Sequence, residues 1–424
     1  MTTSIEPDAT WLSEHLTSLS EFSDSTLPGW SRVVLSDPYR ASREFVRDAM
    51  VDAGLVDVHV DGAGNTVGRL PGTASERGID LKPLVTGSHT DTVRGGGRFD
   101  GIVGVLGAIE AVRAMREAGI RLTRDLVVVD FLGEEPNDYG IACVGSRAFA
   151  GVLTGEHLDR RSPDGERLGD ALRSYGVDPE RALTTTWRPG DFHAYIELHV
   201  EQGPLMERSG HEIGVVTAIA GIDRFLARFA GRADHAGATP MDDRADALLA
   251  AAEAVLTVER VGCGAPVHGV STSGRVESFP GSMNVVPEEA RLWGELRSVD
   301  GEWLSTAKRD LVDQIAQQAD RRGVESVVEW LTTQDPVPTT PALRDHIAAA
   351  ADGLGHSWTA VPSGAGHDAA HMAHLGPMGM IFVRSAGGRS HCPEEWTEVS
   401  DIVIGVRTLI ATLQRVDATD TITS

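Results

Sequence analysis

Short apolar runs alternate with longer amphipathic stretches along the first half of the chain. The pattern predicts, in order, a helix at 39–53, a hairpin at 56–70, a strand at 84–86, a helix at 102–118 and strands at 126–132 and 194–199. A polar stretch between 155 and 192 separates the last two strands. Buried strands that alternate with helices indicate an α/β sheet covered on both faces.

The rhythm of the pattern changes after Gly221. The elements predicted next are a strand at 225–233, a helix at 242–259, strands at 267–277 and 289–298, a helix at 301–322 and a strand at 324–331. This β-α-β-β-α-β order is typical of a ferredoxin-like α+β unit. We therefore expect a second, compact domain in this part of the chain.

The segment from Thr332 to Pro341 contains three prolines and predicts a linker back to the first domain. That domain then resumes with a helix at 341–353, a strand at 378–384 and a final helix from 400 to about 415. We predict one domain formed by residues 1–220 and 335–424, interrupted by an inserted domain of residues 221–334. The length of 424 residues agrees with two domains, because one hydrophobic core rarely extends that far.

Composition and charge narrow the classes of partner. The net charge of −24 argues against binding to nucleic acids or anionic membranes, since both use Lys/Arg patches. No stretch approaches the roughly 20 apolar residues that span a bilayer, and the start, MTTSIEPDATW, has no basic segment followed by an apolar one. We expect a cytoplasmic protein. Cys143, Cys263 and Cys392 lie far apart and are interpreted as buried small residues, not as a disulfide framework.

Five short stretches carry side chains of the types that bind metal ions. They are GSHTD at 87–91, GRFDG at 97–101, GEE at 133–135, ELH at 197–199 and SHCPEE at 390–395. Four lie at or just after the end of a predicted strand, where open α/β sheets place their ligand crevice. The fifth lies in a glycine-rich loop whose backbone can approach closely. Imidazoles and carboxylates that converge there favour Zn²⁺, Mn²⁺ or Co²⁺, and their number favours two ions over one.

Two adjacent glutamates, Glu134 and Glu135, follow the apolar run 126–132. Paired carboxylates at the end of a buried strand repel each other, so something must offset the cost of burying them. We interpret one of them as a metal ligand. Its neighbour is then free to take a proton from water that the metal ion has acidified, which indicates metal-assisted hydrolysis.

The motifs together resemble the amidohydrolase branch of the M20 metallopeptidase-like family, which holds N-carbamoyl-L-amino-acid hydrolases, allantoate amidohydrolases and β-ureidopropionases. The resemblance runs from GSHTDTVRGGGRFDGIVGVLGAIEA to SHCPEE and includes ELHVEQGPLME, GVVTAIAGIDRF, ADHAGATPMDDRADAL, SMNVVP, GELRSVD and SGAGHDA. It implies a zinc-peptidase-like catalytic domain with a mixed sheet covered by helices. It also implies that the inserted ferredoxin-like domain serves as a lid and in forming a homodimer.

The resemblance assigns roles around two divalent metal ions per subunit. The metal ligands it implies are His89, Asp100, Glu135, His199 and His391. Asp100 would bridge the two ions, with His89 and His199 at one ion and Glu135 and His391 at the other. A histidine at 199 implies ureido or amide substrates, because the peptidase relatives usually have a carboxylate there.

The resemblance also implies which residues act on the proton and the substrate. Glu134 would be the general base, and Asp91 would orient His89 from outside the metal's own ligands. The substrate-binding residues it implies are Gln202, His235, Asn284, Arg297 and His367. His235 would stabilise the oxyanion, often in the neighbouring subunit's site, while Asn284 and Arg297 would hold a substrate carboxylate. From the residues alone, Arg297 could instead pair with an acid, Asn284 could lie in a turn and His367 could be structural.

Three departures from the family pattern concern the substrate. Many relatives continue with Gly-Ser-Arg-Phe after the paired glutamates, whereas this chain has Pro136-Asn137-Asp138-Tyr139. Arg384 stands where relatives commonly have proline, and Cys392 where they commonly have asparagine. None of these departures falls on a residue of the implied catalytic set, so the implied reaction is unaffected. The departures leave the identity of the substrate undetermined.

The function expected is hydrolysis of a carbamoyl or ureido C–N bond in a small substrate that carries a carboxylate. Attack by hydroxide held between the ions would be assisted by Glu134, which passes the proton to the leaving nitrogen. An aminoacylase or dipeptidase of the same superfamily is the alternative. A non-catalytic metal-binding protein is the second alternative, although none of the implied ligands and neither glutamate is missing.

Overall fold

The computed structural model describes residues 5–184, 187–266 and 268–422. The chain divides into two compact units. The first comprises the described residues up to Thr217, Thr339–Val361 and the described residues from Gly366 onwards, and the second comprises Ala218–Pro338 and Pro362–Ala365. No helix within the described residues is long and apolar enough to cross a membrane.

Most of the secondary structure belongs to the first unit. Its helices are α1 (Ala9–Glu21), α2 (Asp37–Asp52), α3 (Ile102–Glu117), α4 (Val144–Phe149), α5 (Gly155–Leu158), α6 (Leu168–Tyr175), α7 (Pro179–Ala182), α8 (Leu205–Ser209), α11 (Pro341–Leu354), α12 (Asp368–Met372) and α13 (Val399–Asp417). Its strands are β1 (Val56–Val60), β2 (Thr66–Leu70), β3 (Leu84–His89), β4 (Leu126–Phe131), β5 (Ala194–Val200), β6 (Ile213–Ile219), β14 (Trp358–Ser363) and β15 (Met378–Val383), of which β6 and β14 extend into the second unit.

The sheet of the first unit is mixed, and its centre is parallel. Its strand order is β1-β2-β4-β3-β5-β15-β6, with β14 also paired to β6. Strand β3 pairs in parallel with β4 and β5, and β5 pairs in parallel with β15. These four strands are buried at every position, as is typical of parallel strands covered on both faces. Their carboxyl ends therefore meet at one edge of the sheet, and the α/β prediction is confirmed.

The core of the first unit lies between this sheet and helices α1, α3 and α13. Helix α3 contributes Ile102, Val105, Leu106 and Ile109, and α13 contributes Val406, all of them at 1% exposure or less. Burial of this apolar surface is the main favourable term in folding. It holds the start of α3 against the carboxyl ends of the parallel strands.

Apart from three strands of two residues each, the second unit has the predicted β-α-β-β-α-β order. Its elements are β7 (Gly221–Ala230), β8 (Asp234–His235), α9 (Ala247–Cys263), β9 (Val270–Phe279), β10 (Val285–Val286), β11 (Glu289–Ser298), α10 (Gly301–Asp320), β12 (Glu325–Gln334) and β13 (Val337–Pro338). An antiparallel sheet of order β12-β7-β11-β9 carries α9 and α10, and their apolar side chains form one separate core. The ferredoxin-like prediction is confirmed.

Several boundaries differ from the sequence expectations. The hydrophobic pattern does not predict β6 or β14, because β6 runs almost directly into β7 and β14 is short and contains Pro362. Short helices occupy much of the polar stretch 155–192. Helix α9 begins at Ala247 because the Asp246 carboxylate accepts the N–H groups of Leu248 and Leu249.

The predicted bounds of the linker and of the strand at 267–277 also differ from those in the structure. The linker is shorter than expected, because β12 continues to Gln334. The described part of the next strand begins at Val270, and residue 267 lies outside the described residues. Cys263 is exposed, since it lies in the last turn of α9, so its interpretation as a buried residue was wrong.

A buried arginine joins α2 to the strand that precedes the paired glutamates. The Arg43 guanidinium donates hydrogen bonds of 2.8 Å to Tyr39 Oη, the carbonyl oxygen of Gly64 and Thr66 Oγ1. Its Nε lies 3.7 Å from Oδ2 of Asp130 in β4, and both side chains are almost fully buried. Removing one partner of a buried charge pair leaves the other uncompensated, which is more costly than losing an exposed pair.

Arg43→Ala should therefore lower the free energy of unfolding by about 3 kcal/mol. The matched control is Arg47→Ala on the same helix, where the side chain is 48% exposed, and we expect a change within about 0.5 kcal/mol. Urea denaturation followed by circular dichroism measures both variants. Equal stabilities of the two variants would show that the Arg43 network contributes nothing.

Candidate active site

The metal-type side chains converge at the edge where the parallel strands end. His89 is the last residue of β3, His199 lies near the end of β5, and the paired glutamates follow β4. Asp100 lies in the loop before α3, and His391 lies in the loop between β15 and α13. Because β3, β4, β5 and β15 run in the same direction, stretches that are far apart in sequence reach the same place.

Asp100 lies at the centre of this cluster and connects its two halves. Its Oδ1 lies 3.2 Å from Nε2 of His199 and 3.8 Å from Nε2 of His89. Its Oδ2 lies 3.1 Å from Nε2 of His391. The same Nε2 of His391 lies 3.4 Å from Oε1 of Glu135. The ligand-type atoms of His89, Asp100 and His199 lie within 4.8 Å of one another, and so do those of Asp100, Glu135 and His391. The five predicted metal ligands thus form two groups that share Asp100.

The two buried histidines are oriented by backbone carbonyl groups. Nδ1 of His199 lies 2.9 Å from the carbonyl oxygen of Val200, and Nδ1 of His89 lies 3.2 Å from that of Asp91. A carbonyl oxygen only accepts hydrogen bonds, so Nδ1 of each ring carries a proton, and Nε2 faces Asp100. This orientation is the one that histidine ligands of metal ions usually have.

Asp91 holds the paired glutamates as well as His89. Its Oδ1 accepts the N–H of Glu134 at 3.1 Å, and its Oδ2 accepts the N–H of Glu135 at 3.0 Å. Its Oδ1 also lies 3.5 Å from Nδ1 of His89. The sequence interpretation gave Asp91 only the contact with His89, because the N–H contacts depend on how β3 and β4 are paired.

Burial raises the pKa values of the paired glutamates. The pKa of Glu134 rises to about 7 because burial outweighs the attraction of the His89 charge. Burial, and then the charges of Asp100 and Glu134, raise the pKa of Glu135 well above its ordinary value. In Asp100, burial is overcome by hydrogen bonds with His199 and His391, which lower its pKa well below its ordinary value. Carboxylates crowded in a buried site repel one another, so a bound cation would stabilise this arrangement.

Three residues fix the Asp100 loop. Glu395 Oε1 accepts the N–H groups of Phe99 at 2.7 Å and Asp100 at 3.1 Å, and its Oε2 accepts the Ser390 hydroxyl at 2.7 Å. Ser390 Oγ also lies 3.1 Å from Asp100 Oδ2. Gln202, predicted to line the site, donates to the same Oδ2 at 2.6 Å. Sequence reasoning missed the roles of Ser390 and Glu395, although both lie in the SHCPEE stretch.

Gly101 is required where the Asp100 loop passes His89. Its φ is +69°, and a Cβ built there would lie 2.3 Å from Nε2 of His89. A larger residue would therefore displace the imidazole or the loop.

His367 lies against the same cluster. Its ring centroid is 4.5 Å from that of His199, and burial followed by the His199 charge lowers the pKa of His367 well below its ordinary value. Glu197, His199 and His367 form a third group of ligand-type atoms within 4.8 Å of one another. The Glu197 oxygens accept the hydroxyl groups of Ser88 at 2.9 Å and Tyr195 at 2.7 Å.

The remaining predicted substrate residues belong to the second unit. His235 in β8 pairs with Val285 in β10, and the carbonyl oxygen of Asn284 accepts the N–H of Ala236 at 3.0 Å. Nδ1 of His235 accepts the N–H of Gly237 at 3.0 Å, so its Nε2 carries the proton and can donate. Both His235 and Asn284 are exposed.

Arg297 pairs with an acid, one of the possibilities that the sequence left open. Its Nε and Nη2 donate to the two carboxylate oxygens of Glu295 at 2.8 Å and 3.2 Å, and its Nη1 donates to the carbonyl oxygen of Gly364 at 3.1 Å. These contacts orient the guanidinium but also occupy part of its fork.

The positions that depart from the family pattern have defined contacts. Arg384 forms an ion pair with Asp401 of α13. In the segment after the paired glutamates, Asp138 accepts from Arg94 at 2.7 Å, and Tyr139 donates to Glu166 at 2.9 Å. Cys392 is half-buried. These contacts anchor the departing segments without involving the five metal-type ligands.

The donor set fits divalent metal ions. Each group combines imidazole nitrogen with carboxylate oxygen, the donors that Zn²⁺, Mn²⁺ and Co²⁺ accept, and the carboxylate of Asp100 presents one oxygen to each group. The buried carboxyl groups of Asp91, Asp100, Glu134 and Glu135 lie close together, an arrangement that a cation stabilises. The residues present therefore fit the metal centre that the sequence predicts.

Asp100→Ala should remove most of the bound metal, because both groups lose their shared carboxylate. His391→Ala removes a ligand of one group only, so we expect about one equivalent less metal than in the unaltered protein. Elemental analysis after dialysis against Mn²⁺, Co²⁺ or Zn²⁺ measures the content. The control is Asp48→Ala, an exposed aspartate on α2, which should leave it unchanged. Full metal content in the Asp100 variant would contradict the assignment.

Comparison with known proteins supplies the family. A model of the Peptidase family M20/M25/M40 matches residues 85–415. The N-carbamoyl-L-amino acid amidohydrolase of Geobacillus stearothermophilus is 35% identical over 413 residues, which cover 96% of this chain and 98% of that protein. Ureidoglycolate hydrolase of Arabidopsis thaliana is 37% identical over 427 residues, which cover 98% of this chain and 88% of that protein.

Solved structures agree with these relatives. A hydantoinase/carbamoylase family amidase from Burkholderia multivorans has a TM-score of 0.88 at 34% identity, covering 98% of this chain and 100% of that one. AtUAH in complex with glyoxylate has a TM-score of 0.85 at 34% identity, covering 98% and 99% of the two chains. The resemblance predicted from the motifs is confirmed, and this chain belongs to the Peptidase family M20/M25/M40, among relatives of the hydantoinase/carbamoylase branch.

Proposed function

We propose that the protein is a metal-dependent amidohydrolase that cleaves a carbamoyl or ureido C–N bond in a small substrate bearing a carboxylate. An N-carbamoyl-L-amino acid or an allantoate-like compound is the class we favour. When the group cleaved is carbamoyl, the products are the free amine, ammonia and carbon dioxide. The observation that carries the proposal is the pair of metal-type groups sharing Asp100, with Glu134 beside them.

The relatives support this class of substrate. They include an N-carbamoyl-L-amino acid amidohydrolase and a ureidoglycolate hydrolase, each covered over most of its length by this chain. AtUAH was solved with glyoxylate and with (S)-hydroxyglycine, which are both small carboxylates. A tripeptidase from Staphylococcus aureus shares the fold at 16% identity, with a TM-score of 0.68, so the fold alone does not exclude peptides.

In the proposed site, His89, His199 and Asp100 would hold one ion, and Asp100, Glu135 and His391 would hold the other. When bound, the ions would polarise the scissile carbonyl and lower the pKa of water. Glu134 has a pKa raised to about 7, which suits a group that takes a proton and gives it back near neutral pH. Its Oε2 lies 3.7 Å from Nε2 of His89, so the carboxylate faces the first metal group.

The second unit would supply groups that bind the substrate. His235, whose Nε2 can donate, would stabilise the negative charge that develops on the carbonyl oxygen. Arg297 and Asn284 would bind the substrate carboxylate, with the Arg297 guanidinium oriented by Glu295. Gln202 and His367 would line the site beside Asp100 and His199.

We further propose that the protein forms a homodimer through the second unit and that it is located in the cytoplasm.

Glu134→Gln should lower kcat by about a hundredfold or more, because the amide cannot accept the proton, while metal content stays unchanged. Steady-state kinetics and elemental analysis measure the two properties. Glu44→Gln, the same exchange at an exposed position of α2, should leave both unchanged. Activity retained by the Glu134 variant would exclude Glu134 as the base. Absence of turnover in the unaltered enzyme on every substrate of the panel below would favour a non-catalytic metal-binding protein.

A substrate panel separates the amidohydrolase from an aminoacylase or a dipeptidase. The panel contains the N-carbamoyl, N-acetyl and dipeptide forms of one L-amino acid, together with allantoate, and uses enzyme reconstituted with Mn²⁺, Co²⁺ or Zn²⁺. We expect kcat/KM for a carbamoyl or ureido substrate to exceed that for the others by about tenfold or more, because polar groups in the site are left unpaired by analogues that lack the terminal nitrogen. A dominant rate on the dipeptide would overturn the proposal.

A further inference from the structure

A thiol faces the carboxylate of Glu134. Sγ of Cys143 lies 3.3 Å from Glu134 Oε1, and Cys143 is only 5% exposed. Most buried cysteines act as small apolar side chains. Cys143 differs from these because it contacts a buried ionisable group that lies beside the metal-type cluster.

The backbone fixes this thiol in place. The N–H of Cys143 donates to the carbonyl oxygen of Glu134 at 2.8 Å, and the next two N–H groups donate to the carbonyl oxygens of Gly133 at 2.9 Å and Leu132 at 2.7 Å. Cys143 has a φ of +57°, which places it as the turn residue that starts α4. At Gly145 a Cβ would meet the backbone nitrogen of Leu132 at 2.4 Å, so the two segments lie too close to shift independently. Cys143 thus contacts Glu134 through both its backbone and its side chain.

The contacts of the two Glu134 oxygens differ. Oε1 receives the thiol of Cys143, whereas Oε2 lies 3.7 Å from Nε2 of His89. Burial, followed by the charge of Glu134, raises the pKa of Cys143 well above its ordinary value, so the thiol keeps its proton and donates. A thiol is a weak donor, so it can hold one carboxylate oxygen without greatly reducing the basicity of the other.

We propose that Cys143 is a positioning residue for Glu134: its thiol holds Oε1, so that Oε2 stays directed at the His89 side of the site. The inference rests on the proposed function, in which Glu134 handles the proton. It adds a residue that acts through Glu134 and touches neither metal nor substrate. The role requires a hydrogen-bond donor at this position, whereas a packing role requires only volume.

Three substitutions test whether the donor matters. Cys143→Ala and Cys143→Gly remove the donor, and glycine also adopts the φ of +57° without strain, whereas Cys143→Ser keeps a donor. We expect kcat to fall about tenfold in the alanine and glycine variants with KM little changed, and to stay within about threefold of the unaltered enzyme in the serine variant. Metal content should stay unchanged in all three, because Cys143 lies outside both metal-type groups.

Controls keep this inference separate from the proposed function. Cys263→Ala removes an exposed thiol in the second unit and should leave kcat unchanged. If Glu134→Gln is inactive but the alanine and glycine variants are fully active, the inference fails and the proposed function stands. If Glu134→Gln is active, the assignment of the base fails and the inference fails with it. A serine variant as impaired as the alanine variant would also overturn the inference. If the alanine variant does not fold, the comparison of glycine with serine decides, because glycine tolerates the positive φ at this position.

Discussion

The burial of several carboxylates at one edge of the sheet is the constraint on which the site depends. Asp100, Glu134 and Glu135 are all less than 10% exposed, so each needs donors or cations close by. Asp100 meets this need most fully, through three imidazoles, the Gln202 amide and the Ser390 hydroxyl. Two divalent ions would offset the negative charge of Glu134 and Glu135. The same charges that make the site costly to bury therefore make it selective for cations.

The order and direction of the strands bring these side chains together. Parallel strands that are buried on both faces end together, and their ends deliver His89, His199 and the paired glutamates to one place. Helix α3 and its preceding loop bring in Asp100, whose backbone is held by Glu395. The large apolar core under α3 and α13 fixes the positions of these loops. Stability of the core and geometry of the site are thus two consequences of the same packing.

Several neighbouring residues fix the position of Glu134. Asp91 holds its backbone, Cys143 holds one of its oxygens, and His89 faces the other. The Arg43 network lies beneath the same turn, since Tyr39 Oη accepts the N–H of Gly133 at 3.1 Å. Each contact involves the residues just before or within the Glu134-Glu135 pair. The segment that follows the pair is anchored separately, through Asp138 and Tyr139.

Apart from α1, β6 and β14, the sequence by itself determined the main strands and long helices, the ferredoxin-like unit, the metal-type stretches and the family. All of these depend on local periodicity or on motifs whose residues are close in sequence. Only the tertiary structure decided that Arg297 donates to the carbonyl oxygen of Gly364, that Asp91 accepts the N–H groups of both glutamates, and that Cys143 donates to Glu134. Such contacts depend on strand register and on the path of each loop. Hydrogen bonds require positions accurate to a few tenths of an ångström, which a hydrophobic pattern does not specify.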